Sequence, residues 1–166
     1  DVLELAGALG IDRFHVLGHS MGAKAAMTLA LMAPDRVAGL AAADMGPRVY
    51  DGTDLVRIID VLSRLDLSAL GARSDADKAL ASEIPNPAVR GFLLKSLREK
   101  EGALAWRLNL RGLRDSFEAL SAWTEEGPAY QGPALFLRGE KSDYIRESDL
   151  PRIRRFFPRA EVVTVP

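Results

Sequence analysis

The segment that most restricts what this chain can fold into is Gly18-His19-Ser20-Met21-Gly22, a serine between two glycines at the join of two unlike stretches. Before it, Phe14 to Leu17 is a compact apolar run bounded by Arg13 and Gly18, which reads as a buried strand. After it, Ser20 to Met32 is rich in Ala, Leu and Met, with small residues at Gly22, Ala25 and Ala26, and is stopped by Pro34. That reads as a helix able to pack closely on a sheet. Val37 to Ala43 is a second apolar run of strand length. Strand, helix and strand in succession form a βαβ unit, which requires a parallel sheet. Such a sheet puts Ser20 at the carboxyl end of a strand, where open α/β sheets place their ligands.

A turn from strand to helix this sharp forces its central residue into a strained backbone conformation. Side chains two residues before and after are expected to meet neighbouring backbone, so both positions call for glycine. Ser20 Oγ is then lifted clear of the sheet, in the pattern of a nucleophile elbow. The Met21 N–H, at the start of the helix, is placed to donate to a developing oxyanion, an interaction typically worth roughly 3 kcal/mol in a transition state. The plainer reading is a serine that only caps a helix.

An activated serine needs a base, normally histidine, oriented by a carboxylate. The chain has two histidines, His15 and His19. His15 lies within the strand and is expected to be a satisfied sheet residue. His19 is the variable residue of the turn and is expected to pack beside it. Neither suits Ser20 as a base. Two carboxylates compete for the orienting role. Asp44 ends the strand after the turn, and Asp143 follows the apolar run Ala134 to Leu137, where capping the next helix is its other reading.

Elsewhere, Val2 to Leu9 reads as a short amphipathic helix closed by Gly10. From Pro47 to Gly132 the patterns are helical, with no convincing strand. Leu55, Ile58, Ile59 and Leu62 form a helical stripe behind Thr53 or Asp54 as cap. Ser74 and Asp77 have capping-box spacing, Asn86-Pro87 opens a helix running to about Lys100, and another covers Arg111 to Leu120. So long a stretch between sheet strands exceeds an ordinary crossover and reads as a cap over the ligand edge. The expected organisation is a core of 1–46 and 133–166 with a helical cap at 47–132. Strand character returns at Pro133 to Leu137, followed by a helix from Ser148 to Phe157 and a last strand from Glu161 to Val165.

Composition excludes several functions. A net charge of −1 offers no overall footprint for nucleic acid or an anionic membrane, and Arg152-Ile153-Arg154-Arg155 reads as a solvated helix face. With no cysteine there is no disulfide, thiolate metal site or cysteine nucleophile. No apolar run is long enough to span a bilayer and no signal peptide is visible, so the cytoplasm is the default compartment. Because the chain starts on Asp1 and stops just after a strand, it is expected to be an internal fragment.

The run His15 to Met27, with Pro34-Asp35-Arg36-Val37 and Asp44-Met45-Gly46-Pro47, resembles the YbfF-type esterases, α/β-hydrolases related to a mitochondrial abhydrolase of animals. Phe92 to Leu97, Trp106-Arg107-Leu108-Asn109-Leu110 and Pro133 to Gly139 agree, so the likeness covers essentially the whole chain. It implies a partial α/β-hydrolase fold and hydrolysis of carboxylic esters or acyl thioesters through an acyl-enzyme, with no cofactor and no metal. It implies Ser20 as nucleophile, Asp44 as acid, the Met21 N–H as oxyanion donor and Trp106 as an aromatic lining the acyl pocket. Many α/β-hydrolases draw the acid from the later strand, three residues after its glycine, but that slot holds Ser142. The family's histidine follows the last strand and its second oxyanion donor precedes this chain, so these 166 residues are expected to be inactive alone. A small ester is the expected partner; oligomeric state is left open. The alternative is a non-catalytic binding protein of the same fold, or a pseudoenzyme.

Overall fold

The computed structural model describes residues 1–123 and 128–166. They form two compact units, Asp1–Val49 with Ala122–Pro166, and Tyr50–Ser121.

The first helix, α1 (Val2–Ala8), is followed by Gly10 in the left-handed region at φ 68°. Strand β1 (Phe14–His19), helix α2 (Met21–Met32) and strand β2 (Val37–Ala43) then form the expected βαβ unit, with β1 and β2 parallel. Ala26, Met27 and Ala30 bury the sheet-facing side of α2. The expectation of a buried strand over Phe14 to Leu17 is corrected among the described residues, where Phe14 and Val16 are half-buried. His15, Leu17 and His19 are exposed, Leu17 at 72%. Among the described residues, β1 has a hydrogen-bonded neighbour only in β2, and α2 covers one of its faces.

In the second unit, α3 (Thr53–Arg64) is capped at Gly52, one residue before the expected site. The Asp51 carboxylate takes the Thr53 N–H at 3.0 Å and its hydroxyl at 2.6 Å. Its stripe buries Leu62, half-buries Ile58 and Ile59, and leaves Leu55 exposed. Helix α4 (Arg73–Leu80) starts earlier than the Ser74–Asp77 spacing implied. Asp75 accepts the Ala72 N–H, while Asp77 pairs with Arg90 at 2.8 Å. The Arg90 hydrogen bond holds the Asp77 carboxyl below its ordinary pKa.

Helix α5 (Pro87–Leu94) has the expected Asn86 cap, whose side chain accepts from Ala88 and Val89. It ends well before Lys100. The chain then turns into an antiparallel hairpin, β3 (Leu97–Lys100) with β4 (Ala103–Trp106), which corrects the strand-free reading of this region. Glu101 and Gly102 close it with φ of 55° and 79°, the paired left-handed conformation of a two-residue hairpin turn. The helix expected over Arg111 to Leu120 is two short ones, α6 (Leu110–Asp115) and α7 (Phe117–Ser121). This unit has its own core, in which Val61, Leu62, Ala76, Leu80, Ile84 and Leu97 are buried together.

The chain returns to the sheet through β5 (Ala134–Gly139), a single 3₁₀ turn, α8 (Leu150–Phe156) and β6 (Ala160–Val165). All four sheet strands are parallel, in the order β1-β2-β5-β6. On α8, Arg154 and Arg155 are exposed as expected, and Arg155 lies over the Phe156 ring. The Phe157 ring meets Tyr130 edge-on and Phe136 at a tilt, all three buried, and the Tyr130 hydroxyl donates to the Val37 carbonyl at 3.1 Å. Burial raises the Tyr130 pKa above its ordinary value. Tyr130→Phe strands that carbonyl without its donor, so it should cost about 1–3 kcal/mol of unfolding free energy in urea titrations. Among the described residues, no helix is long and apolar enough to cross a membrane.

Candidate active site

Ser20 joins β1 to α2 with φ 53° and ψ −123°, a conformation costing a side-chain-bearing residue roughly 1–3 kcal/mol. The surrounding backbone holds it there. Its N–H donates to the Ala43 carbonyl at 3.0 Å, and its own carbonyl accepts from Ala23 and Lys24 at 2.9 and 3.3 Å. The side chain makes no capping hydrogen bond, so the hydroxyl is not consumed in starting the helix.

The two glycines flanking the serine differ. A Cβ on Gly18 would lie 2.1 Å from the Gly22 carbonyl oxygen, 2.3 Å from its carbon and 2.5 Å from the Ala23 nitrogen. All three are backbone atoms that cannot swing away. A Cβ on Gly22 meets nothing within 4 Å. The expected collision therefore applies to Gly18 alone, because Gly22 already lies inside α2 with its missing side chain pointing outward.

Asp44 ends β2 with a positive φ as well, also 53°. His19 and Ala43 are register partners, so Ser20 and Asp44 follow paired positions on adjacent strands. The Asp44 N–H donates to the Leu137 carbonyl at 2.8 Å. Its Oδ1 is enclosed and has no hydrogen-bond partner among the described residues. A buried acceptor left unsatisfied costs about 1–3 kcal/mol and calls for an explanation such as a functional donor.

Asp143 lies beyond the end of β5, with its side chain exposed. Its backbone carbonyl accepts from Arg48 and Arg146, each at 3.1 Å. It does not cap the following helix, since Asp149 takes the Arg146 N–H at 2.8 Å.

His15 is exposed, and its ring lies against the backbone of Gly39, whose Cβ, if present, would be 2.6 Å from Nδ1. Among the described residues His19 is exposed rather than packed beside the turn, on the same face of β1 as the exposed Leu17. Met21, the first residue of α2, has an N–H with no acceptor within its own helix. Trp106 belongs to the Tyr50–Ser121 unit, where it is half-buried against the core and donates its indole N–H to the Leu62 carbonyl at 3.2 Å.

Two cations escaped the sequence reading. Lys24, one turn into α2, is buried and donates Nζ to the Ala122 carbonyl at 2.8 Å. Burial, and then the nearby Arg48 charge, hold its pKa below the ordinary lysine value. Arg48, just past Asp44, pairs with the buried Asp149 at 3.3 Å. The signal for Lys24 was its isolation, as the one charged residue between Ser20 and Met32.

The family model described as the alpha/beta hydrolase fold matches residues 1–166. Among curated proteins, the chain is 35% identical over 171 residues to the sn-1-specific diacylglycerol lipase ABHD11 of Danio rerio, covering 100% of this chain and 54% of that protein. It is 32% identical over 160 residues to Esterase YbfF of Escherichia coli (strain K12), covering 96% of this chain and 61% of the relative. Among solved structures, a marine microorganism esterase superposes with a TM-score of 0.95 at 34% identity, over 100% of this chain and 66% of that one. The chain thus spans about half the length of the curated ABHD11 relatives it matches.

Proposed function

The chain belongs to the α/β-hydrolase family, and from that premise we propose that it carries the nucleophile and acid of a serine hydrolase acting on carboxylic esters or acyl thioesters. The observation that carries this reading is the pairing of a strained serine, its hydroxyl not spent on a helix cap, with an aspartate whose enclosed Oδ1 has no partner among the described residues, at the ends of adjacent parallel strands. Such strain persists where the surrounding structure enforces it, and it clusters at reactive sites.

In the proposed mechanism a histidine from outside these residues accepts the Ser20 proton as Oγ attacks the acyl carbonyl. Asp44 Oδ1 accepts the N–H on that histidine's other nitrogen and fixes its tautomer. The Met21 N–H stabilises the oxyanion at the start of α2, with a second donor again from outside. Collapse of the tetrahedral adduct expels the alcohol or thiol, which takes the proton from histidine, and leaves an acyl group on Ser20. Water, deprotonated by the same histidine, releases the acid and restores Ser20. The Tyr50–Ser121 unit is the cap of this scheme, and Trp106 is its candidate for contact with the acyl chain. The naming of several relatives as esterases or lipases supports the substrate class.

The test is covalent labelling. In the full-length protein, a fluorophosphonate should add its phosphonyl mass to the peptide containing Ser20 and abolish hydrolysis of p-nitrophenyl butyrate in step with labelling. The 166 residues alone should show neither reaction, since loss of the base removes several orders of magnitude in rate. Labelling at a different residue, or folded full-length protein that resists both reagents, would overturn the proposal in favour of a binding protein.

A further inference from the structure

We propose that Arg48 is a positioning residue for the Ser20 chemistry: it clamps the turn that carries Asp44 to the turn after β5, and so sets where the Asp44 carboxylate points. The inference rests on the reading of Ser20 as nucleophile and Asp44 as acid.

Asp44 has a placement problem. Its Oδ1 has no hydrogen-bond partner among the described residues, so no contact to that oxygen there aims the side chain directly. The direction must come from its backbone, held in the left-handed region at φ 53° and tied to the sheet by the bond to Leu137. An aspartate in that region is conformationally unfavourable unless the chain on both sides is fixed. The sheet fixes the side before it. After it, Met45, Gly46 and Pro47 are buried, and Arg48 is the first charged side chain.

Arg48 is fastened at several points. Its N–H closes a tight turn onto the Gly46 carbonyl at 2.9 Å. Its guanidinium is in ion-pair range of Asp149, Nε lying 3.3 Å from Oδ2 without the alignment of a hydrogen bond, and it donates through Nη2 to the Asp143 carbonyl at 3.1 Å. Those partners are themselves braced. Asp149 accepts the Arg146 N–H, and the Arg146 side chain donates to the same Asp143 carbonyl. The Arg48 and Asp149 side chains are only 19% and 9% exposed, so solvent screens the pair weakly. A planar guanidinium can reach a carboxylate and a carbonyl together, whereas lysine presents one compact ammonium on a flexible stem. The exits of β2 and β5 are thereby joined through side chains beyond the point where the strands stop pairing.

The experiment compares Arg48→Lys and Asp149→Asn with the parent in the full-length protein. It measures kcat and KM on p-nitrophenyl butyrate, the phosphonylation rate of Ser20, and Tm. Misplacing a reacting group by about 1 Å can cost roughly 100-fold in rate. Arg48→Lys is therefore expected to lose about 10- to 100-fold in kcat with little change in KM, and to slow phosphonylation by a similar factor. Asp149→Asn should show the same kcat-selective loss, and the double variant little beyond the larger single loss, because both act through one clamp. A purely structural role predicts a lower Tm with parental kcat in the folded fraction, and that result overturns the proposal. If Arg48→Lys fails to fold, parental kcat in Asp149→Asn overturns it. Asp44→Asn separates the two failures. Full activity there removes the acid assignment and this inference with it, while an inactive Asp44→Asn beside a fully active Arg48→Lys removes the clamp alone.

Discussion

Asp44→Asn in the full-length protein should lower kcat by about 10⁴-fold while leaving the protein at least as stable as the parent. Asparagine has the shape of aspartate, but it neither stabilises an imidazolium nor selects the tautomer that leaves the base free to accept the serine proton, and that failure is worth about 10⁴ where it has been isolated. Stability should be preserved because an asparagine at 44 can still hydrogen-bond, through its oxygen or its amide, to the histidine proposed to meet Oδ1, and no described residue bonds to that oxygen. Few substitutions combine so large a kinetic loss with no thermal penalty, so kcat and Tm together identify the acid. Asp143→Asn should leave kcat essentially unchanged, since that side chain is exposed and the contacts holding its turn are made by its backbone carbonyl. The reverse result, with activity lost only in Asp143→Asn, would move the acid to the later strand.

Gly18→Ala should destabilise the chain by about 3 kcal/mol or more, the upper end of what forced overpacking costs. The added methyl would sit 2.1 Å from the Gly22 carbonyl oxygen, so β1 and α2 would have to part at the residue between them that bears the nucleophile. Gly22→Ala, four positions on, has open space and an α-helical setting, and up to about 1 kcal/mol of helix propensity favours the change. Urea denaturation of the two full-length variants checks the contrast. If both substitutions are equally damaging, the crowding lies elsewhere. Because the Gly18 clash falls on the strained turn, any Gly18→Ala that folds should also lose Ser20 labelling.

The βαβ unit and its serine were legible because two independent periodicities meet at a turn only glycine can close. Strand β2 matches its expected limits, with apolar residues bounded by Arg36 and Asp44. The hairpin Leu97–Trp106 was not legible. Leu97-Arg98-Glu99-Lys100 has a single apolar residue, and the facing strand contains two alanines, which favour helix. The useful sign was local: Glu101-Gly102, a two-residue link with glycine second, which cross-strand packing turned into a hairpin. The exposed face of β1 was misjudged for another reason. Apolar composition reports what a strand would bury given a neighbour, and among the described residues β1 pairs with β2 alone. Asp44 could be read as a candidate from its position, but its enclosed, unpartnered oxygen is a tertiary fact. So is the clamp at Arg48, whose partners Asp143 and Asp149 lie about a hundred residues away in sequence.

The two ends of the Tyr50–Ser121 unit close on each other, with the Tyr50 N–H donating to the Ser121 carbonyl at 3.4 Å. A segment that leaves and re-enters a scaffold at one point behaves like a graft on a branch, since its length and content can change while the join stays the same size. Insertions are best tolerated where chain ends lie close together. Having its own core, this segment also keeps its folding free energy largely to itself. Substitutions within it, or its wholesale exchange with the corresponding segment of a relative, are therefore limited first by whether that core still packs.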